Sequence, residues 1–476
     1  MPGLASLSRD GAPLALDDGQ IDGLRASLRG ALLREGDAGF DAARSIWNGM
    51  IDRRPALVAR CLGTADVQAC LRFARETGIA LSIRGGGHNI AGLALADRGL
   101  MIDMSLQRGV WVDPVERIAR VQAGCLLGDV DRETQLHGLG TVLGFVSPTG
   151  VAGLTLGGGF GYLTRRFGWT SDNVRSMQLV TGDGRIVTAS ESENADLFWG
   201  LRGGGGNFGV LTGIEYELYE VGPEIFGGAI AWRAEDAPRV LDAYRAALAG
   251  APAELTLLLF MRLAPPVPWI DRSAHGAPIV GAFVCHSGRV EDGERLLGPL
   301  RAAAPPVGDV LQRRSYVSQQ SLVDMANPNG RRYYWKSEYL PAIDAALLET
   351  ALAHLSRITS PHSAILLLPL DGPLNRLPSA HSAVGNRDAR AVFNVSASWE
   401  DAGEDARHVQ WARDAWQDLR RFSTGGTYVN FLTAEEQGDR IAAAYGENLA
   451  RLVEVKTRWD PENLFRVNKN IAPARG

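Results

Sequence analysis

Glycine is concentrated in three short segments, which constrain the fold of this chain more than any other sequence feature. They are Arg84-Gly-Gly-Gly-His-Asn, the stretch from Thr149 to Gly161, and Leu201-Arg-Gly-Gly-Gly-Gly-Asn-Phe-Gly-Val. Consecutive glycines can adopt positive φ, and they lack side chains that would keep a ligand away from backbone N–H groups. A row of such N–H groups forms a concave site for an anion such as a pyrophosphate. The first segment alone is more typical of a tight turn, but the three together indicate one extended ligand bound along the backbone.

The second segment matches neither of two common nucleotide-binding motifs. It has no Gly-x-Gly-x-x-Gly at a strand-to-helix junction followed about 20 residues later by an acidic residue, the pattern of a Rossmann fold. It also lacks the Gly-Lys-Ser/Thr of a P-loop ATPase. The ligand is therefore expected to bind in a different kind of fold.

The composition of the 476 residues is typical of a soluble globular protein. Hydrophobic residues make up 45% and charged residues 22% of the chain, and the formal net charge is −5. This charge gives no reason to expect binding to nucleic acid or to an anionic membrane. The first residues lack the pattern of a secretory signal, and no apolar run is long enough to cross a bilayer. We therefore expect a cytoplasmic protein that binds neither nucleic acid nor membrane.

The four cysteines are scattered and show no spacing typical of a metal site. Their positions, Cys61, Cys70, Cys125 and Cys285, favour four buried thiols in a reducing compartment. No bound metal is predicted.

The alternation of strand-like and helix-like stretches predicts a two-domain α+β protein. Residues 1–223, with a core at 54–223, form the predicted ligand-binding domain that contains the glycine segments. Residues 224–425 are predicted to form a substrate domain with a mostly antiparallel sheet covered by helices. Residues 426–476 are predicted to form a return segment that packs on the first domain, and an amphipathic pattern predicts one helix over 435–455.

Both ends of the chain resemble a known superfamily of flavoproteins. Residues of about 54–223 are similar to the FAD-binding domain of the vanillyl-alcohol-oxidase and para-cresol-methylhydroxylase superfamily, and the tail is similar to its berberine-bridge-enzyme-like branch. The middle of the chain is only loosely matched. The matching motifs are the first glycine segment, Gly124-Cys-Leu-Leu-Gly-Asp-Val, Gly157-Gly-Gly-Phe-Gly-Tyr-Leu-Thr-Arg-Arg-Phe-Gly, Asp196-Leu-Phe-Trp-Gly followed by the third segment, Tyr428-Val-Asn-Phe, and Trp459-Asp-Pro-Glu-Asn-Leu-Phe-Arg-Val-Asn-Lys-Asn-Ile.

The resemblance implies FAD as the cofactor and His88 as its covalent anchor. In relatives with this pattern, the histidine of the Gly-Gly-Gly-His loop bonds to the 8α-methyl of the flavin ring. The resemblance also implies that the loop backbone holds the pyrophosphate, that Val210 lies near the adenine, and that Val151 falls where the family tunes oxygen access. The full set of residues expected to contact FAD is Arg84, Gly85, Gly86, Gly87, His88, Asn89, Thr149, Gly150, Val151, Gly153, Gly158, Gly161, Val210, Tyr428, Asn468 and Asn470.

Many relatives of the berberine-bridge type carry a second covalent link, from a cysteine to flavin C6. That cysteine would fall at Val146 or at Ser147, depending on whether the following glycines or the following proline are aligned, and neither residue is a cysteine. A single covalent link is therefore predicted, and the likeness to doubly linked oligosaccharide oxidases is weakened.

Tyr428 is the first candidate for a catalytic base, and Tyr334 and Lys336 are further catalytic candidates. A phenol can act as a base when a nearby cation lowers its pKa, and Lys336 could supply that cation. The alternatives are a buried aromatic strand for Tyr333–Trp335 and a solvated side chain for Lys336. No motif supports a catalytic role for other histidines and carboxylates, namely His137, His286, His362, Glu338 and Glu400.

These expectations predict an FAD-dependent oxidase of a small molecule. It would remove hydride from a C–H next to oxygen or nitrogen, in an alcohol, a sugar hydroxyl or an amine, and O₂ would reoxidise the flavin. Bacterial members of the family often act in secondary metabolism or catabolism. Three alternatives remain open at this point: a dehydrogenase with another electron acceptor, an FAD-binding protein without turnover, and noncovalent FAD with His88 serving only in the loop.

Overall fold

The computed structural model describes residues 3–474, and the part before residue 224 contains thirteen strands and seven helices. The strands are β1 Leu4–Leu7, β2 Pro13–Leu16, β3 Leu32–Leu33, β4 Leu57–Arg60, β5 Leu81–Arg84, β6 Leu100–Asp103, β7 Val110–Asp113, β8 Ile118–Gln122, β9 Leu139–Gly140, β10 Val174–Val180, β11 Ile186–Ser190, β12 Val210–Glu217 and β13 Tyr219–Glu220. The helices are α1 Asp18–Ser27, α2 Phe40–Arg44, α3 Thr64–Thr77, α4 Leu127–Gln135, α5 Val151–Leu156, α6 Thr164–Phe167 and α7 Ala195–Leu201.

Two sheets organise this first part and bring the glycine segments together. A four-stranded sheet has the order β3-β4-β6-β5, in which β6 is parallel to both β4 and β5. Parallel strands of one sheet require a crossover connection, and α3 supplies it between β4 and β5, which lie on either side of β6. A five-stranded antiparallel sheet has the order β11-β10-β12-β8-β7. The first glycine segment follows the end of β5, and the third leads into β12.

One eight-stranded antiparallel sheet dominates the part of the chain after residue 223. Its order is β17-β14-β16-β15-β20-β21-β19, and β18 also pairs with β14. The strands are β14 Glu224–Arg233, β15 Leu255–Leu263, β16 Pro278–His286, β17 Gly308–Asp309, β18 Gln312–Ser315, β19 Arg332–Leu340, β20 Ala364–Pro369 and β21 Ala391–Trp399. The helices are α8 Ala237–Ala249, α9 Val290–Arg301, α10 Tyr316–Gln320, α11 Ala345–Leu355 and α12 Asp405–Leu419.

The two faces of this sheet have different partners because successive strand residues point to opposite sides. On one face, side chains such as Leu257, Leu259 and Met261 of β15 form a core with α8, α9, α11 and α12. On the other face, Leu258 and Arg262 of the same strand line a cavity that is shared with the glycine segments. The sheet therefore separates a helix-covered core from the candidate site.

The tail contains two helices where the amphipathic pattern predicts one. These are α13 Asp439–Tyr445 and α14 Leu449–Trp459, and the backbone turns at Gly446, which has a φ of +55°. The tail then packs against the third glycine segment. In this contact, the Lys456 ammonium donates a hydrogen bond of 2.9 Å to the Asn207 carbonyl, and Asp460 of the same tail, 2.6 Å away, is its counter-ion.

The architecture confirms the predicted α+β fold class. The four- and five-stranded sheets lie before residue 223, and the strands of the eight-stranded sheet lie within the predicted substrate domain. The domain boundaries themselves stay a prediction. Between residues 3 and 474, no helix is both long enough and apolar enough to span a bilayer.

Candidate active site

A cavity of about 380 Å³ lies between the glycine segments and the open face of the eight-stranded sheet. All three glycine segments contribute to one wall, and the return segment contributes residues near Tyr428 and Asn468. The sheet wall is mostly apolar, with Leu258, Phe283, Leu366 and Leu368 interrupted by the polar residues Arg262, Trp335, Asn394 and Ser396.

The first two glycine segments touch in the cavity wall. A Cβ atom added at Gly86 would lie 2.4 Å from the backbone nitrogen of Gly150, and one added at Gly150 would lie equally close to Gly86. Such distances are far below van der Waals contact, so only glycine permits the two backbones to approach here. Gly153, one turn of α5 further on, has open space at its Cβ position and lines the cavity. A ligand can therefore lie directly against this backbone.

His88 lines the cavity at the end of the first glycine segment. Its ring stacks on Trp47 with the centroids 4.4 Å apart and the planes 17° apart. Its Nε2 atom is buried and has no hydrogen-bond partner within the described part of the chain. Burial lowers the pKa of the imidazole to about 4, so the ring is neutral at physiological pH. A buried polar atom without a partner is rare in folded proteins and points to a group that binds there.

Tyr428 also lines the cavity, and its hydroxyl oxygen accepts two hydrogen bonds. The donors are the Gly159 backbone N–H at 3.0 Å and the Asn430 side-chain amide at 2.9 Å. Burial raises the pKa of the phenol above its ordinary range, although both hydrogen bonds partly oppose the shift. The hydroxyl is therefore protonated at neutral pH, and its hydrogen is free to be donated.

Lys336 and Tyr334 lie on the opposite face of the sheet from the cavity. The Lys336 ammonium lies 2.8 Å from Glu435 and 3.3 Å from Glu436, and the Tyr334 hydroxyl donates to Glu435. Strand alternation in β19 places Trp335, between them, in the cavity wall. The predicted pairing of Lys336 with Tyr428 is therefore wrong, and no cation from β19 lowers the pKa of Tyr428.

The cofactor residues predicted from the sequence divide into two groups. Those that line the cavity are Gly85, Gly86, Gly87, His88, Asn89, Thr149, Gly150, Gly153, Tyr428 and Asn468. Those that lie behind its wall are Arg84, Val151, Gly158, Gly161, Val210 and Asn470.

Packing within the protein accounts for several residues of the second group. Val151 is fully buried in the core of the first part, and its neighbour Ala152 lines the cavity instead. Val151 therefore does not line the cavity, and its role in oxygen access stays a prediction. Gly161 is needed because a Cβ atom there would lie 1.7 Å from the Leu143 carbonyl oxygen. Val210 is likewise buried, while Gly209 and Leu211 on either side of it line the cavity.

Several polar cavity residues were not singled out by the sequence patterns. Arg262, Asn394 and Ser396 lie within strands, and His362, which the sequence favours as a packed or surface histidine, comes just before β20. Strand alternation could have grouped Arg262 with Leu258, but it could not have shown which face of the sheet meets the glycine segments. No aspartate or glutamate lines the cavity, and residues 3–474 contain no cluster of metal-ligating side chains.

The cavity fits a long cofactor that contacts backbone along its length. On one side of the cavity, the glycine segments let a ligand approach the backbone closely. Two residues that line the same cavity, His88 and Asn468, each have a buried polar atom without a partner in the described residues, namely His88 Nε2 and Asn468 Oδ1. These residues could hold FAD, with the glycine backbone at its phosphates. The four cysteines are free and buried, and none of them lines the cavity.

Comparisons with known proteins match both ends of this chain to flavoprotein families. A sequence profile for an FAD binding domain matches residues 55–190, and a profile described as berberine and berberine like matches residues 427–472. The chain is 32% identical to (R)-6-hydroxynicotine oxidase of Paenarthrobacter nicotinovorans over 94% of this chain and 97% of that protein. It is 26% identical to chitooligosaccharide oxidase of Gibberella zeae, over 92% of each chain.

The fold is similar to that of a solved relative as well. The crystal structure of 6-hydroxy-D-nicotine oxidase from Arthrobacter nicotinovorans superposes with a TM-score of 0.84 at 31% identity, over 94% of this chain and 99% of that one. The glycine-lined cavity, the two matching profiles and the full-length similarity therefore agree. The chain belongs to the berberine-bridge-enzyme-like branch of the vanillyl-alcohol-oxidase and para-cresol-methylhydroxylase superfamily, and it is an FAD-dependent oxidoreductase.

Proposed function

We propose that this protein is an oxidase that carries FAD on a single covalent bond to His88. It oxidises a C–H next to oxygen or nitrogen in a small molecule and transfers the electrons to O₂, which is released as H₂O₂. The relatives named for hydroxynicotine and chitooligosaccharides support both an amine and a sugar hydroxyl as substrate classes.

The observation that carries the proposal is the state of His88. A covalent bond to an imidazole nitrogen requires an unprotonated lone pair, and the pKa of about 4 keeps one available. The Nε2 atom has no partner within the described residues that would compete for it. The ring is held between its loop and Trp47, which in turn stacks on Tyr333 at a centroid distance of 3.7 Å. The side chain is therefore fixed in position before any bond forms.

The residues beside the second glycine segment support the proposal of a single link. Val146 lines the cavity and has no nucleophilic atom, while Ser147 points its hydroxyl to the Asp324 carboxylate. The cysteine closest in sequence, Cys125, is buried with its sulfur 3.4 Å from the Gly109 carbonyl oxygen. Burial also raises the pKa of this thiol to about 12, so it is not a thiolate nucleophile.

The residues of the cavity bind and orient a substrate and exclude water. Bound flavin supplies the hydride acceptor. The leucines and phenylalanines of the sheet wall exclude water from that acceptor, and Tyr428 can donate its hydroxyl hydrogen to a bound group. Because no carboxylate lines the cavity, a substrate proton must be lost to a residue other than Asp or Glu or to solvent.

The test is acid precipitation of the purified protein. We expect yellow, fluorescent flavin to remain in the pellet of the wild-type protein and to be released from His88→Ala, while His137→Ala serves as a matched histidine control. Flavin released from the wild-type protein would refute the covalent bond. Peroxide formation would then be screened with hydroxynicotine and with chitooligosaccharides. If a substrate reduces the flavin but air reoxidises it only slowly, the protein is a dehydrogenase instead.

A further inference from the structure

One row of side chains crosses the sheet wall of the cavity and ends in an arginine. The pairing register aligns Arg262 of β15 with Ala364 of β20, Ala364 with Ser396 of β21, and Ser396 with Trp335 of β19. All four residues line the cavity. Neighbouring strands are about 4.8 Å apart, so Arg262 and Trp335 stand roughly 14 Å apart at the two ends of the row.

The two residues in the middle of the row have small side chains, and the adjacent cavity wall is mostly apolar. Ala364 and Ser396 have small side chains, which leave space between the two large residues at the ends. The adjacent cavity residues of the same sheet face are Leu258, Leu366, Leu368 and Phe283. The space therefore suits a compact ligand with an apolar body that extends from Arg262 toward Trp335.

Arg262 has hydrogen-bond donors to spare. Its Nε atom donates to the Leu263 carbonyl at 3.3 Å, and its Nη2 atom donates to the Pro361 carbonyl at 3.1 Å. A guanidinium has five N–H donors, so three remain without an acceptor among residues 3–474. No carboxylate of residues 3–474 lies within 4.0 Å of this guanidinium.

The neighbouring charged groups do not neutralise Arg262. Arg331 lies 3.8 Å from the Glu400 carboxylate, and His362 lies 3.4 Å from the same carboxylate, whose side chain is 73% exposed. Burial and the charge of Arg331 lower the pKa of His362, so this imidazole is neutral. Burial lowers the pKa of Arg262 itself to about 10, which leaves the guanidinium charged at neutral pH.

The Arg262 side chain is half-buried and lines the cavity, so its remaining N–H groups are accessible to a ligand of opposite charge. We infer that Arg262 binds the carboxylate of the substrate, so that the substrate class is a small apolar or aromatic carboxylic acid. The planar fork of a guanidinium matches a carboxylate with two parallel hydrogen bonds. One positive charge balances a carboxylate, whereas a phosphate ester carries nearly two negative charges. This inference rests on the proposed function and specifies the substrate of the same site.

The other end of the row offers contacts for the group to be oxidised. Trp335 Nε1 is a buried donor and Asn394 Oδ1 a buried acceptor, and neither has a partner within the described residues. Both residues line the cavity. A hydroxyl or amine can accept a hydrogen bond from the indole and donate one to the amide. The substrate is thus held at both ends, with its carboxylate at Arg262.

The experiment compares benzoate with benzamide, which have nearly the same shape but differ in charge. Each is titrated into the flavin-loaded protein while the visible flavin absorption is recorded. We expect benzoate to perturb the spectrum and to bind at least tenfold more tightly than benzamide. Equal affinity for the two compounds, or no response to benzoate up to its solubility limit, would overturn the inference without the use of any variant.

Variants then assign the effect to Arg262. We expect Arg262→Gln to weaken benzoate binding by tenfold or more and to leave benzamide binding unchanged, and Arg262→Lys to retain part of the preference. Arg331→Gln is the matched control, because that arginine already faces Glu400, and we expect it to keep the preference. Unchanged benzoate binding in Arg262→Gln overturns the inference. Loss of flavin from that variant also overturns it, because Arg262 would then be a cofactor ligand.

The titration reads binding and not turnover, so it can fail independently of the proposed oxidase. A protein that binds benzoate through Arg262 but transfers no electrons to O₂ would retain this inference and refute the oxidase. A peroxide-producing protein that does not distinguish the two compounds would do the reverse.

Discussion

Tyr428 shows how a single residue can lie in a predicted site and still be unsuited to its predicted role. Its oxygen accepts hydrogen bonds from Gly159 and Asn430, and its ring packs edge-on against Phe160 at 4.9 Å and Phe431 at 5.0 Å. Burial raises the pKa of the phenol, and no cation lies close enough to reverse that shift. A neutral hydroxyl that already accepts two hydrogen bonds acts as a donor toward the cavity.

We expect Tyr428→Phe to lower kcat/KM by about tenfold, the effect of one lost hydrogen bond of about 1–1.5 kcal/mol. Because the wild-type phenol stays protonated below its raised pKa, the pH dependence of kcat/KM should keep the same shape in the variant. Steady-state rates measured from pH 6 to 10 for both proteins provide the check. An ionisation present in the wild-type profile and absent from the variant would instead identify Tyr428 as the base.

Sequence motifs predicted individual site residues correctly where the backbone forms the wall of the cavity. His88 and the glycines around it were predictable because consecutive glycines indicate a backbone that lies close to another group, and the contact of Gly86 with Gly150 shows such an approach. Arg262 and Asn394 carry no such signal. Each is one polar residue in an apolar strand, and its importance depends on which sheet face meets the cofactor domain.

At the scale of elements, alternate side chains of β19 serve two different purposes: one side lines the cavity, and the other side forms a structural network of charged groups. Trp335 faces the cavity, whereas Tyr334, Lys336 and Glu338 face α12 and the return segment. Burial raises the pKa of Glu435, but the hydrogen bonds from Lys336 and Tyr334 outweigh it and lower this pKa to about 2. The network thus ties the return segment to the helix-covered face of the sheet.

We expect Lys336→Met to destabilise the protein without a large effect on the site. Lys336 and Glu436 are almost fully buried, and removal of the lysine leaves Glu436 with Arg440, 3.1 Å away, as its remaining cation. Breaking such a pair costs about 3–5 kcal/mol, and the partial exposure of Glu435 places the expected loss at the lower end. Thermal unfolding should occur several degrees lower than in the wild-type protein, with kcat changed less than twofold at a temperature where the variant is folded.

A second variant distinguishes this structural role from the catalytic role predicted from the sequence. Arg413→Met removes another cation from Glu435, but Arg413 is 47% exposed, so a smaller loss of stability is expected. If Lys336→Met unfolds at the wild-type temperature and yet loses kcat, the lysine acts in the reaction.

At the scale of the whole molecule, the fold class followed from the sequence, but the cavity between the glycine segments and the eight-stranded sheet did not. Glycine segments and alternating patterns are local signals, and they sufficed for the sheets of each part. The single helix predicted for the tail was wrong because Gly446 lies at a sharp turn within an otherwise continuous amphipathic pattern. Which faces meet across the cavity depends on long-range packing that no local window contains.

A second contact between the two parts buries a carboxyl group that has no cation within 4.0 Å in the described part of the chain. Asp131 of α4 is 1% exposed and accepts a hydrogen bond of 3.2 Å from the Gln320 amide of α10. Burial raises the pKa of Asp131 to about 7, with a smaller contribution from the charge of Asp324. Nearby hydroxyls of Tyr162 and Tyr316 are also buried and lack partners within residues 3–474.

This carboxyl group should make the stability of the molecule depend on pH. Below the ordinary pKa of 3.8, Asp131 is protonated in both the folded and the unfolded chain, and the folded state carries no penalty. As the pH rises from about 4 to about 7, only the unfolded chain releases the proton, so stability falls by on the order of 4 kcal/mol and is constant above that range.

We expect Asp131→Asn to remove this pH dependence. The melting temperature of the variant, relative to that of the wild-type protein, should therefore rise between pH 5 and pH 7. Asp242→Asn, at a side chain that is 80% exposed, is the control and should follow the wild-type protein throughout. A constant difference between Asp131→Asn and wild type over this range would mean that Asp131 is ionised in the folded protein.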